Sequence, residues 1–133
     1  MKSADGPSAG QDLAIIKSGG RAGAAGVFTA NLVKAWPVLL SQKNVGDGKA
    51  QAIVANAGSA NCATGRQGKK DADETARLCA KLLGVRVSDV LVASTGLIGA
   101  PLAMGKMRSG IDKAAKGLSA ECGMDAALAI MTT

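Results

Sequence analysis

Two neighbouring stretches decide the class of fold: Asp71-Ala-Asp-Glu-Thr-Ala-Arg-Leu-Cys-Ala-Lys-Leu-Leu-Gly84 and the apolar run Asp89-Val-Leu-Val-Ala93. In the first, Ala72, Ala76, Cys79, Leu82 and Leu83 recur at helical spacing. Asp73 and Glu74 suit the positive start of a helix dipole, and Gly84 offers a stop. The second stretch reads as a strand that ends at Ser94-Thr95-Gly96. Upstream, Ala50-Gln-Ala-Ile-Val-Ala-Asn56 reads as a central strand, so the helix is bracketed by strands. Strands alternating with helices define an α/β class, a mixed sheet with flanking helices.

Working outward toward the N-terminus, Asp12-Leu-Ala-Ile-Ile-Lys17 reads as a short buried strand, followed by a Gly19-Gly20 turn and a small-residue run to Gly26. Val27-Phe28-Thr29 reads as strand again. Pro37 is expected to break the next segment and leave Val38-Leu39-Leu40 extended, with a polar turn over residues 44–48 and a loop over residues 58–68. On the other side, Met104, Met107, Ile111, Ala114 and Ala115 mark a second amphipathic helix, interrupted at Gly110 and closed near Gly117, with both methionines in the core. Asp125-Ala-Ala-Leu-Ala-Ile-Met131 begins a helix or strand that stops at Thr132-Thr133. A helix that short does not hold itself in water, and an apolar element makes an abrupt terminus. The expectation is therefore a single partial domain over residues 1–133.

Composition supports this. The chain has 133 residues, one domain's worth at roughly 150 per domain. With 26 Ala and 18 Gly but one Phe, one Trp and no Tyr, elements can approach closely while each buried side chain contributes little transfer energy. Such a thin core is expected to leave apolar faces that need a partner. Sixteen Lys and Arg against ten Asp and Glu give a net charge of +6. These cations are scattered, and few aromatics are present to stack on bases, so a nucleic-acid partner is not expected. The longest nearly uncharged stretch, residues 87–106, passes through glycine turns and cannot span a membrane. Residues 1–11 lack the apolar core of a secretion signal, which points to the cytoplasm.

The chain has no histidine, which removes Ser-His and Cys-His nucleophile pairs from it. Cys62, Cys79 and Cys122 are odd in number and form no Cys-x-x-Cys, so they read as small apolar residues rather than as a zinc site or disulfide framework. Gly68-Lys69-Lys70 fails as a phosphate loop: Ala63 stands where the first glycine belongs, and Lys70 where Ser or Thr would bind magnesium. Neither a resident cofactor nor a metal is expected. Ser94-Thr-Gly-Leu-Ile-Gly99 is more informative, since it follows an apolar strand and joins hydroxyls to a glycine whose amide can approach a ligand. Donors fixed there could stabilise a tetrahedral oxyanion by about 3 kcal/mol apiece. On spacing alone an ordinary strand-ending turn is the simpler reading, and the same holds for Asn56-Ala-Gly-Ser-Ala-Asn61.

Four segments taken in order resemble the ornithine acetyltransferase (ArgJ) family of arginine biosynthesis. They are Ala25-Gly-Val-Phe-Thr-Ala-Asn31, Asn56-Ala-Gly-Ser-Ala-Asn-Cys-Ala-Thr-Gly65, Leu91-Val-Ala-Ser-Thr-Gly-Leu-Ile-Gly99 and Ala129-Ile-Met-Thr-Thr133. The resemblance implies the N-terminal part of the ArgJ/DmpA-like self-processing fold. It also implies an enzyme that moves acetyl from N-acetylornithine to glutamate through an acetyl-enzyme, with acetyl-CoA as a further acetyl donor in some members. In that family the precursor cuts itself into α and β chains, the new N-terminal Thr is the nucleophile with its own amine as base, and an α2β2 assembly is common. Such a pair needs no imidazole. By position, Thr95 and Gly96 match the family's oxyanion-hole pair, the first through its hydroxyl and the second through its amide. Thr132 or Thr133 matches a substrate-contacting Thr. The family's Lys-Gly-x-Gly-Met stretch and Ala-Thr-Met cleavage site fall beyond Thr133, so the β chain is missing and these residues alone are expected to be inactive.

A second reading, from a different class, is a stand-alone basic binding module that kept this half of the fold without catalysis. It predicts cooperative folding alone and salt-sensitive association with a polyanion. A third, a related self-processing aminopeptidase, would use similar nucleophile logic on another substrate, and the four motifs favour the acetyltransferase.

Overall fold

Period-2 burial in the chain's middle fixes how the sheet is built. In a computed structural model of the chain, which describes residues 12–131, Ala50, Ala52, Val54 and Asn56 are buried and the residues between them are more open. This strand, β2 (Lys49–Asn56), is the middle of three. β1 (Leu13–Gly23) pairs with it antiparallel, and β3 (Val90–Ser94) pairs parallel, with Asn56 opposite both Leu13 and Ser94. A parallel pair needs a crossover, and α2 (Gly65–Leu83) lies on it. Three further α-helices, α1 (Trp36–Asn44), α3 (Met104–Lys116) and α4 (Gly123–Ile130), and two short 3-10 turns, Val45–Asp47 and Val87–Asp89, complete the described elements. The expected mixed sheet with flanking helices is present.

The core lies on one face of the sheet. Ile15, Ala52, Val54, Val90 and Val92 meet Ala76, Cys79 and Ala80 of α2 and Met107 and Ile111 of α3. Burial pushes the Cys79 thiol up to about 11, so it is an inert packing group. Cys62 and Cys122 are half-buried, and all three are free thiols. The opposite face carries the cross-strand row Ile16, Ile53 and Leu91, of which Ile16 is 58% exposed.

α1 covers the open edge of β3. Ser41 Oγ donates to Val92 O at 2.7 Å and accepts from Val92 N–H at 2.7 Å, while Asn44 Nδ2 donates to Val90 O at 2.8 Å. One buried hydroxyl thus satisfies both backbone groups of an edge residue that would otherwise lie unpaired. Ser41→Ala should destabilise the fold by about 2 kcal/mol, since it leaves a buried donor and acceptor unmet. A denaturant midpoint equal to the parent's would refute this role.

At the other end of the sheet, Asp89 is buried beneath two arginines. Arg86 Nε and Nη2 donate to it at 2.9 and 3.0 Å, and Arg21 Nε of β1 donates at 2.9 Å. Arg21 also pairs with Asp47. The Arg86 guanidinium, with Arg21 behind it, holds the Asp89 carboxyl down to about 2. Because the folded value lies below the ordinary 3.8, this contribution is complete above that pH and is lost as pH falls toward 2. Thermal melts should therefore fall less between pH 4 and pH 2 in Asp89→Asn than in the parent. Parallel curves would show that the clasp carries no acid sensitivity.

Several sequence expectations are corrected. Gly19-Gly20 is not a turn: β1 runs on to Gly23, and its irregularity is a shift of pairing register between Lys17 and Ala22. Residues 27–29 are not strand, and Val27 is fully exposed. Pro37 starts a helix instead of breaking one, because the first turn of a helix needs no N–H from it. α2 begins at Gly65, inside the expected loop, so Asp73 and Glu74 lie in its middle and its first turn holds no acid. Gly110 does not interrupt α3, and the last element is a helix. Met107 is buried and Met104 packs against the core, as expected.

Candidate active site

Because β2 and β3 are parallel, both leave the sheet on the same side, which is where open α/β sheets place their ligands. The segments that follow them, residues 57–65 and 95–99, run side by side. Thr95 N–H donates to Asn56 O at 3.0 Å, Leu97 N–H to Gly58 O at 3.2 Å, Ala60 N–H to Leu97 O at 3.0 Å and Gly99 N–H to Cys62 O at 2.8 Å. Ser59 and Leu97 form a parallel bridge. The ladder therefore continues past the strands and binds the two sequence motifs to each other.

Gly96 sits at the closest approach. Its φ of +126° disfavours any side chain, and a Cβ there would lie 2.3 Å from the carbonyl carbon of Gly58 and 2.6 Å from Ser59 N. Its N–H has no acceptor among the described residues and remains available to a ligand. Thr95, by contrast, uses its main-chain N–H on Asn56, so a donor from this exposed residue has to be the hydroxyl.

Side chains hold the ladder from beneath. Asn56 is 5% exposed; its Oδ1 accepts from Ser94 Oγ at 2.6 Å and its Nδ2 donates to Ser59 O at 3.0 Å. Ser59 Oγ donates to Ala100 O at 2.8 Å. Beyond it the chain turns sharply: Asn61 and Ala63 take left-handed φ values of 48° and 56°, a conformation that costs about 1 kcal/mol and persists only where the surrounding bonds compel it. Asn61 is fully buried, accepts from Thr64 Oγ1 at 2.7 Å and donates to Gly68 O at 2.8 Å. Gly68 has to be glycine here, since a Cβ would fall 1.9 Å from Thr64 Oγ1. Trp36 Nε1 donates to Gly65 O at 2.7 Å and ties α1 to the same turn.

The two predicted donors, Thr95 and Gly96, are thus adjacent at the carboxyl end of β3, on a backbone braced by the second motif. The predicted Thr132 and Thr133 lie outside the described residues. The sequence did not reveal that Asn56, Ser94 and Ser59 join the motifs; the one local signal is an Asn that directly follows the apolar run Ala52-Ile-Val-Ala55. Leu97 and Ile98 stand 71% and 72% exposed beside Thr95. An apolar groove of about 310 Å³, lined by Phe28, Pro37, Val38, Ile53 and Leu91, reaches Ser94 but neither Thr95 nor Gly96. Among the described residues no group of three His, Cys, Asp or Glu side chains could hold a metal. No helix among them is long and apolar enough to cross a membrane.

This geometry defines a mixed α/β unit in which two glycine-containing loops are braced against each other at the carboxyl ends of a parallel strand pair. The ArgJ family profile matches residues 2–133, and the chain belongs to that family. It is 53% identical over 123 residues to the arginine biosynthesis bifunctional protein ArgJ of Symbiobacterium thermophilum, covering 92% of this chain and 31% of that protein. It is 52% identical to the ArgJ protein of Caldanaerobacter subterraneus, again over 92% of this chain and 30% of the relative. The chain thus spans about a third of the length of these relatives. Among solved structures, ornithine acetyltransferase from Mycobacterium tuberculosis in complex with ornithine superposes with a TM-score of 0.88 at 40% identity, over 92% of this chain and 67% of that one. ArgJ from Bacillus halodurans gives 0.75 at 36% identity, over 77% and 54%.

Proposed function

We propose that this chain is the α-chain portion of a cytoplasmic arginine-biosynthesis acetyltransferase that moves acetyl from N-acetylornithine to glutamate. The nucleophile is a Thr outside these 133 residues, freed as the N-terminus of a β chain by self-cleavage, and the chains assemble as α2β2. Its hydroxyl attacks the acetyl carbonyl carbon while its own amine takes the proton. The carbonyl electrons move onto oxygen, and the Thr95 hydroxyl with the Gly96 N–H stabilises that charge. Collapse breaks the C–N bond, returns the proton to the departing ornithine amine and leaves an acetyl ester on Thr. The amine of glutamate then attacks the ester and regenerates the hydroxyl. Acetyl-CoA serves as a second acetyl donor, and Thr132 or Thr133 contacts the substrate.

The observation that carries this reading is the braced pair of donors at Thr95 and Gly96, in a chain half-identical to ArgJ proteins. The test joins this chain to the remaining two thirds of the Symbiobacterium relative, giving a complete precursor. That precursor should cleave itself and transfer acetyl from N-acetylornithine to glutamate. A soluble, cleaved precursor without turnover would overturn the reading.

A further inference from the structure

We propose that Asn56 is a positioning residue for the two oxyanion donors, acting through Ser94 on one side and Ser59 on the other; this rests on the acetyltransferase reading above. Asn56 closes β2 on the core face, in the row Leu13, Asn56, Ser94, and below it Val54 and Ala52 continue the apolar layer. An amide in such a place is costly to bury unless both its ends are bonded. Both are. Oδ1 accepts from the hydroxyl of Ser94, the residue that precedes Thr95, at 2.6 Å. Nδ2 donates to the carbonyl of Ser59, the residue whose N lies 2.6 Å from the Cβ position of Gly96, at 3.0 Å. One side chain therefore ties the Ser94 hydroxyl on one side of the donors to the Ser59 backbone on the other, while the main-chain carbonyl of Asn56 accepts the Thr95 N–H at 3.0 Å. Any residue can supply that last bond; only a side chain with an acceptor and a donor supplies the other two.

A clamp that exists to aim the donors has a different signature from one that merely holds the fold. In the complete precursor, Asn56→Ala should lower kcat about thirtyfold and leave KM within about threefold, the pattern of a lost transition-state interaction. The same substitution in a Thr95→Ala background should cost only about threefold, because the hydroxyl it aims is already gone. Ser94→Ala removes only the 2.6 Å bond and gives a milder form of the same non-additivity; it carries the test if Asn56→Ala does not fold. Asn56 and Ser94 effects that multiply fully with Thr95→Ala, or an unchanged kcat in both, would overturn the positioning role while the oxyanion reading stands. An unchanged kcat in Thr95→Ala alone would remove Thr95 from the oxyanion pair and overturn this inference with it.

Discussion

Gly96→Ala is expected to reduce acetyl transfer by the complete precursor more than about a thousandfold, the largest effect of any single methyl group in this region. Two independent constraints meet at this residue. A φ of +126° lies where L side chains are strained whatever the space around them, and here there is no space. The new Cβ would sit 2.3 Å from the Gly58 carbonyl carbon, 2.5 Å from its oxygen and 2.6 Å from Ser59 N. These are backbone atoms, fixed by the bonds from Thr95 to Asn56 and from Leu97 to Gly58, and cannot rotate away as a side-chain tip would. The strain is relieved only by parting the two segments, which misplaces the Gly96 N–H and the Thr95 hydroxyl together. Gly99 is the control. It too has a positive φ, of 80°, but nothing lies within 4 Å of its Cβ position, so Gly99→Ala should be destabilised by only about 1 kcal/mol and keep most of its turnover. Turnover in Gly96→Ala equal to that of Gly99→Ala would show that close approach of the two segments is irrelevant to catalysis.

What the sequence made legible follows from how local each signal is. α2 and β2 were readable because a 3.6-residue and a 2-residue period need only their own side chains, and Gly84 at φ 67° closes α2 where expected. The second half of β1 was not readable: Ser18-Gly-Gly-Arg-Ala-Gly23 has turn composition, and its extension depends on pairing, with Ala22 opposite Ala50 and Gly23 opposite Lys49, and on Arg21 reaching Asp89. α1 was misread because Pro37 is a breaker in every turn of a helix except the first. Thr95 and Gly96 could be picked out as a strand-ending turn, since hydroxyl and glycine stand together in sequence. Their bracing could not, because Asn56 and Ser94 are 38 residues apart and meet only through the parallel register of β2 and β3.

Thr95→Ala should lower kcat of the complete precursor by roughly a hundredfold and leave KM for N-acetylornithine nearly unchanged. The substitution deletes one hydroxyl from an exposed side chain and leaves the main-chain bond from residue 95 to Asn56 O in place, so the ladder survives it. The loss therefore falls on the transition state, where an oxygen becomes an anion, and hardly on the bound amide, whose carbonyl is a weaker acceptor. About 3 kcal/mol is a reasonable value for one such donor once water is excluded, and exclusion requires that the open surface around Thr95, Leu97 and Ile98 be covered in the complete enzyme. Thr95→Ser separates the hydroxyl from the methyl. It keeps the donor and should retain turnover within about fivefold of the parent, because a serine hydroxyl rotates to the same acceptor. The melting temperature should stay close to the parent's in Thr95→Ser, which keeps the hydroxyl. Equal losses in the Ala and Ser variants would assign the effect to packing by the methyl group, and no loss in either would remove Thr95 from the chemistry and leave the Gly96 N–H as the remaining donor of the pair.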